Sequence, residues 1–270
     1  MENPFSLKDK VIVVTGATGV LGHSFINSIA EAGGIVGVLG RNEAVAKERT
    51  EAIIKKGGKA VALIADVTSE AQLTAARDKM LSEYGRIDGL VNGAGGNRPS
   101  AVVQPGDDIF KLNMEGMKEV MDLNLMGTLI PTQIFGPSLV ESKGSIVNIS
   151  SVSAQRTLTR VMGYSLAKAA IDSYTKWFAV ELANRYGDAV RMNAIVPGFF
   201  LTEQNRTLLT TEDGGYTDRG NTILKQTPFK RFGNAEELSG CLVWLLSDAS
   251  RFVTGSIINI DGGFNAFSGV

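Results

Sequence analysis

The feature that most constrains this chain is a repeated alternation. Short β-branched or apolar runs at 11–15, 35–39, 60–65, 89–93, 145–150, 190–196 and 256–263 are separated by longer stretches with helical spacing, at 20–32, 43–56, 69–84, 113–136, 164–186 and 235–247. Strands that read as near-continuous apolar runs are buried on both faces, and strands joined through helices run parallel. The pattern predicts an α/β fold: one doubly wound, mostly parallel seven-stranded sheet of Rossmann type with helices on both faces. No Pro/Gly/Ser linker interrupts the series, so residues 1–270 are expected to form a single dinucleotide-binding and catalytic domain. The stretch 199–230 is polar and irregular, and loops of that length inside a compact domain are often lids or binding loops. It is expected to cover a substrate.

Composition removes several function classes. The formal net charge is −1 over 270 residues, which does not suit a nucleic-acid binder. There is one cysteine, Cys241, within an apolar helical run, and one histidine, His23, so no disulfide framework, multi-His metal site or His-dependent triad is expected, and no metal. The start "MENPFSLKDK" lacks an apolar signal core, and no run of eighteen apolar residues follows. The expectation is a soluble cytoplasmic protein without membrane partners.

In such sheets, ligands bind beyond the carboxyl ends of the strands. The first strand runs into "TGATGVLG" (15–22) and then directly into a helix. Gly16, Gly19 and Gly22 permit a tight turn, close approach of a pyrophosphate and packing of helix on sheet, while the helix N-terminus offers free N–H groups to the phosphates. Thr18, Val20 and Leu21 complete this candidate loop. At the end of the second strand, an acidic residue would accept hydrogen bonds from the ribose of NAD and repel the extra phosphate of NADP. Here the chain reads "VLGRN". Gly40 removes the repulsion and Arg41 offers a planar cation to a 2′-phosphate, so NADP(H) is the preferred cofactor. Asn42 can bond ribose hydroxyls instead, which leaves NAD(H) open.

The sequence "GYSLAK" places Tyr164 and Lys168 on one face of a helix. A free tyrosine titrates near pH 10, so proton transfer near neutrality calls for a pKa lowered by about 2–3 units, which a neighbouring ammonium and a nicotinamide could supply. The strand "SIVNIS" ends at Ser150–Ser151, thirteen residues before Tyr164, and a strand-end hydroxyl there can bond a carbonyl or alcohol oxygen.

Together "TGATGVLG", "ADV" (65–67), "NGAG" (92–95), "DLNLMG" (122–127), "SS" (150–151), "YSLAK" (164–168), "PGFFLT" (197–202) and "DGG" (261–263) resemble the short-chain dehydrogenase/reductase family over essentially the whole length. The resemblance implies a tetrad: Tyr164 as general acid/base, Lys168 lowering its pKa and holding the nicotinamide ribose, Ser151 orienting the substrate oxygen, and Asn124 organising a water relay. It implies further that Asp66 and Val67 line the adenine, that Asn92, Gly93 and Ala94 lie along the cofactor, and that Phe200 and Thr202, after Pro197 and Gly198, contact the nicotinamide amide. It also implies a homotetramer. Two positions depart from the family pattern: Val20 stands where the middle of the three loop glycines is common, with Gly19 just before it, and Gly93 where a second Asn is usual.

For the substrate, Asn97, Arg98, Ser153, Gln155, Arg156, Arg160, Gln204, Asn205 and Arg206 supply amide, hydroxyl and guanidinium groups suited to a carboxylate with several hydroxyls. The segments "PGFFLTEQNR" and "DGGFNAFSGV" resemble a bacterial subgroup of D-mannonate oxidoreductases (fructuronate reductases). The expected reaction interconverts a secondary alcohol and a ketone on a sugar acid. The alternatives are reduction of a 3-oxoacyl thioester or a gluconate-type substrate, and a non-catalytic dinucleotide sensor. Retention of both Tyr164 and Lys168 argues against the sensor.

Overall fold

Along β1 (Val11–Thr15) successive side chains enter different cores, as the two-residue repeat of a strand requires. Ile12 and Val14 pack with Phe25, Ile26 and Ile29 of α1 (Val20–Glu31) and with Leu242 and Leu245 of α8 (Ser239–Leu246). Val11 and Val13 pack on the other face with Leu73 and Met80 of α3 (Glu70–Tyr84) and with Phe135 and Leu139 of α5 (Gly127–Ser142). A sheet covered on both faces follows, and in the computed structural model all of its strand pairs are parallel. The structure describes residues 3–201, 206 and 208–269.

Among these residues the sheet has seven strands in the order β3-β2-β1-β4-β5-β6-β7. The others are β2 (Ile35–Gly40), β3 (Lys59–Ile64), β4 (Gly89–Asn92), β5 (Ser145–Ile149), β6 (Arg191–Pro197) and β7 (Ile257–Ile260). The strand order reverses between β1 and β4, and the crevice at that switch point is where a ligand fits. The glycine loop leaves β1 and the Gly93–Ala94 segment leaves β4, so both border it.

Local chemistry sets the helix boundaries. Asn42 caps α2 (Glu43–Lys55) by accepting from the N–H of Val45, Ser69 caps α3, and Asn113 caps α4 (Met114–Met121). The helix expected at 113–136 is longer and is interrupted: α4 passes through a π turn, Asp122–Met126, into α5, which runs to Ser142. α6 (Met162–Tyr186) begins two residues before Tyr164.

The stretch 199–230 is not wholly irregular. Thr217 caps α7 (Asp218–Gln226), whose Ile223 and Leu224 pack with Leu209 and Phe232 in a small satellite core. The polar composition and "EDGG" obscured it in the sequence. Among the described residues no helix is long and apolar enough to cross a membrane.

Candidate active site

The π turn delivers Asn124 to the site. Its Nδ2 donates to the carbonyls of Val120 (2.8 Å) and Gly96 (2.7 Å), and its Oδ1 accepts from the N–H of Gly96 at 3.0 Å. A π turn widens the helix by one residue, a device frequent at functional sites. Here it lets a fully buried side chain brace the loop after β4. Between them, Gly95 leaves no room: a Cβ there would lie 2.6 Å from Asn124 Oδ1 and 3.2 Å from Lys168 Nζ. Asn124 and the Lys168 ammonium therefore face each other across Gly95.

Lys168 lies on α6 one turn after Tyr164. Its Nζ donates to the Ile149 carbonyl at 2.7 Å and sits 5.5 Å from the centroid of the Tyr164 ring. Burial holds the ammonium well below the usual lysine range, at about 8, with the Asp172 charge acting the other way. Burial pushes the Tyr164 phenol up, and a hydrogen bond with Ser151 pulls it back. The lowering expected of Tyr164 is therefore not a property of the chain alone. Desolvation opposes it, and Lys168 is turned to the Ile149 carbonyl above the ring. Ser151 ends its extended segment at the start of a 3₁₀ turn, and the N–H (3.2 Å) and Oγ (3.1 Å) of Ser153 are both bonded to its Oγ. The four tetrad positions thus converge.

The dinucleotide crevice fits the group that the loops suggest. α1 starts behind Gly19 without a side-chain cap, and no acid stands in its first turn, which suits an anion at its N-terminus. Gly16 has φ of +67°, and a Cβ on it would fall 2.7 Å from the Ala94 backbone. A Cβ on Gly22 would fall 2.2 Å from the Gly16 carbonyl. Val20, in place of glycine, begins α1 and leaves these two approaches intact. Thr15, which the sequence reading passed over, accepts from the N–H groups of Gly93 (3.1 Å) and Ala94 (3.2 Å) and so ties the β4 loop to the glycine loop. Arg49 of α2, also passed over, bonds the carbonyls of Ala17 and Gly19 and braces the turn from behind. Neither carries a motif signal, because each acts on backbone groups distant in sequence.

Several expected contacts take a different form. Asn92 does not aim its side chain at the crevice: its Nδ2 donates to Thr132 (3.0 Å) and Asn148 (2.9 Å) in a buried network. Asn42 spends its side-chain oxygen on the α2 cap. Phe200 is buried against Gly233, and Gly198 donates to the Ile260 carbonyl at 2.9 Å, which closes the end of β6 beside Pro197. Asp66 accepts from the N–H (2.9 Å) and Oγ1 (2.7 Å) of Thr68 and pairs with Arg41 at 3.5 Å. Burial pushes the Asp66 carboxyl up, but those Thr68 bonds and Arg41 outweigh it and hold it below the usual range. Val67 is buried against Gly127.

Ser153, Gln155 and Arg160, all expected at the substrate, line a cleft of about 750 Å³ together with Arg156, Leu158 and Leu166; Ser151, Tyr164 and Lys168 are not among its lining residues. Within it, Gln155 is engaged at both ends of its amide, by Asp172 and Asn265, and Arg156 bonds the carbonyls of Asn265 and Phe267. Arg98, just before the 3₁₀ turn Pro99–Ala101, borders a different cleft with Arg41, Asp66, Thr68 and Asp122. Asn97 keeps a buried side-chain oxygen without a hydrogen-bond partner. Arg206 is exposed, and its carbonyl accepts from Thr210. Thr202, Gln204 and Asn205 lie outside the described residues.

Residues 16–265 match the family described as Enoyl-(Acyl carrier protein) reductase, adh_short_C2. The chain is 40% identical to the uncharacterized oxidoreductase UxuB of Bacillus subtilis, over 98% of each chain. Among solved structures, it is similar to a provisionally named D-mannonate oxidoreductase from Haemophilus influenzae with bound NAD (39% identity, 98% of each chain, TM-score 0.91). It is also similar to a gluconate 5-dehydrogenase from Burkholderia cenocepacia in complex with NADP and tartrate (30% identity, 97% of this chain and 98% of that one, TM-score 0.87). The chain belongs to the short-chain dehydrogenase/reductase family and is an NAD(P)-dependent oxidoreductase.

Proposed function

We propose that the protein interconverts a keto sugar acid and its alcohol, of the D-fructuronate/D-mannonate type. The observation that carries this reading is a pair of arginines. Arg160 lines the large cleft in a left-handed conformation, φ +73°. Arg219, in the first turn of α7, is partly buried, and burial followed by the Arg160 charge presses its pKa down. Neither guanidinium has a carboxylate partner among the described residues. Arginine does not give up its proton, so an anion placed between the two relieves the repulsion. A substrate carboxylate is such an anion, and the 199–230 segment that carries Arg219 then closes over it. The sugar-acid names of two structural relatives point the same way.

In this reading Ser151 and the Tyr164 hydroxyl hold the substrate oxygen, and Tyr164 delivers a proton to it during reduction or removes one during oxidation. A bound nicotinamide would supply or accept the hydride. Lys168 would hold its ribose while keeping a positive charge beside the phenol, and Asn124, which faces Lys168 across Gly95, would position the water that refills the proton. NADP(H) is preferred through Gly40 and Arg41, with NAD(H) admitted because Asp66 competes for Arg41. The assembly is taken as a homotetramer, in keeping with the exposed Trp177 and Val180 of α6. Light scattering of the purified chain tests it.

A second reading, reduction of a 3-oxoacyl thioester, draws on Ile109, Met162 and Leu166, apolar residues of the same cleft. Steady-state assays with D-fructuronate, D-mannonate, D-gluconate and a 3-oxoacyl thioester separate the two. Thioester turnover equal to or better than that of the sugar acids ends the first reading.

A further inference from the structure

Asp172 stands one turn beyond Lys168 on α6 and is 9% exposed. Its Oδ2 accepts from Gln155 Nε2 at 3.3 Å, while Oδ1 is buried without a hydrogen-bond partner. A buried carboxylate with half its capacity unused is costly unless a cation offsets it. Residues four apart on a helix are neighbours, and Lys168, 4% exposed, is the residue four before.

The surroundings of both groups are sparse in charge. Around the Lys168 ammonium stand the Tyr164 ring, the Ile149 carbonyl at the end of β5 and, across Gly95, the Asn124 amide. α4 turns the apolar Met117 and Val120 toward Tyr164. Around Asp172 stand Gln155 and, one turn further on α6, the exposed Lys176, which lines the same surface cleft. Gln155 is itself held: its Oε1 accepts from Asn265 Nδ2 at 2.7 Å. Asn265 donates its N–H to Asp261 at 2.8 Å, and its carbonyl accepts from Arg156 at 2.9 Å. Side-chain bonds thus link the segment after β7 to a carboxylate beside the site.

We propose that Asp172 is the fixed counter-charge of the Lys168 ammonium, and that Gln155 and Asn265 hold its carboxylate in place, so that the segment after β7 positions the catalytic pair. Asp172 touches neither substrate nor cofactor and acts through Lys168. The inference rests on Tyr164 and Lys168 being the proton-handling pair. The balance of effects on Lys168, burial against Asp172, agrees with it.

Asp172→Asn keeps the shape and the bond to Gln155 while removing the charge. The chemical shift of Lys168 Cε, followed by carbon NMR on lysine-labelled protein across the alkaline range, reports the ionisation of this buried side chain without any substrate. In D172N its midpoint should fall by about one pH unit, and the pH at which ketone reduction is lost should fall with it. Gln155→Leu should move the midpoint the same way by less. An unmoved midpoint in D172N overturns the counter-charge. A shift in D172N with none in Q155L overturns the part assigned to the segment after β7. Failure of the acid/base reading itself shows separately, as turnover that survives Tyr164→Phe.

Discussion

The Lys168 ammonium lies 5.5 Å from the centre of the Tyr164 ring, and its proton-bearing nitrogen is anchored on the Ile149 carbonyl at 2.7 Å. Its pKa of about 8 lies below the usual lysine value of 10.5. The folded state therefore gives up this proton first as pH rises. Ketone reduction, which needs the charge, should decline as pH rises through about 8. For stability the sign is opposite. Keeping the buried charge is a cost at neutral pH, and that cost is relieved between about 8 and 10.5. Lys168→Met should abolish the stability gain across that window, measured by chemical denaturation at several pH values.

Removal of the proton donor is the second test. Tyr164→Phe should lower kcat by about 10²–10⁴-fold while leaving dinucleotide affinity nearly unchanged, since the ring stays in place. Stopped-flow turnover and fluorescence titration of the cofactor report the two quantities separately.

The fold was legible because strand periodicity and loop glycines are local signals. Val11 to Thr15 announces a doubly buried strand, and "TGATGVLG" announces the turn after it. The tetrad was legible through spacing. What escaped depends on contacts between distant segments. Thr15 gathers the Gly93 and Ala94 amides across a strand pair, Arg49 reaches back to carbonyls more than a helix away, and Arg98 borders a different cleft from Ser153 and Arg160. The burial of Asn92 in a polar network escaped too, because its partners Thr132 and Asn148 come from α5 and β5.

Gly22 tests the crevice. A Cβ at this position would meet the Gly16 carbonyl at 2.2 Å, a backbone atom that cannot move without opening the loop. Gly22→Ala should cost about 1–3 kcal/mol of stability and weaken dinucleotide binding at least about tenfold. Thermal denaturation with and without NADPH checks both.

Cofactor choice rests on Arg41, which is 62% exposed and 3.5 Å from Asp66. Arg41→Ala should lower the NADP:NAD ratio of kcat/KM by about tenfold, corresponding to one charged hydrogen bond. An unchanged ratio removes Arg41 from that role.

The substrate claim is tested most directly by comparing kcat/KM for D-fructuronate and a 3-oxoacyl thioester in the native chain and in Arg160→Ala and Arg219→Ala. The expected result is a native preference for the sugar acid, with its KM raised about tenfold or more in each variant and thioester turnover unaffected. A native enzyme that turns over the thioester as well as or better than the sugar acid, or variants with an unchanged sugar-acid KM, would contradict the carboxylate site between Arg160 and Arg219.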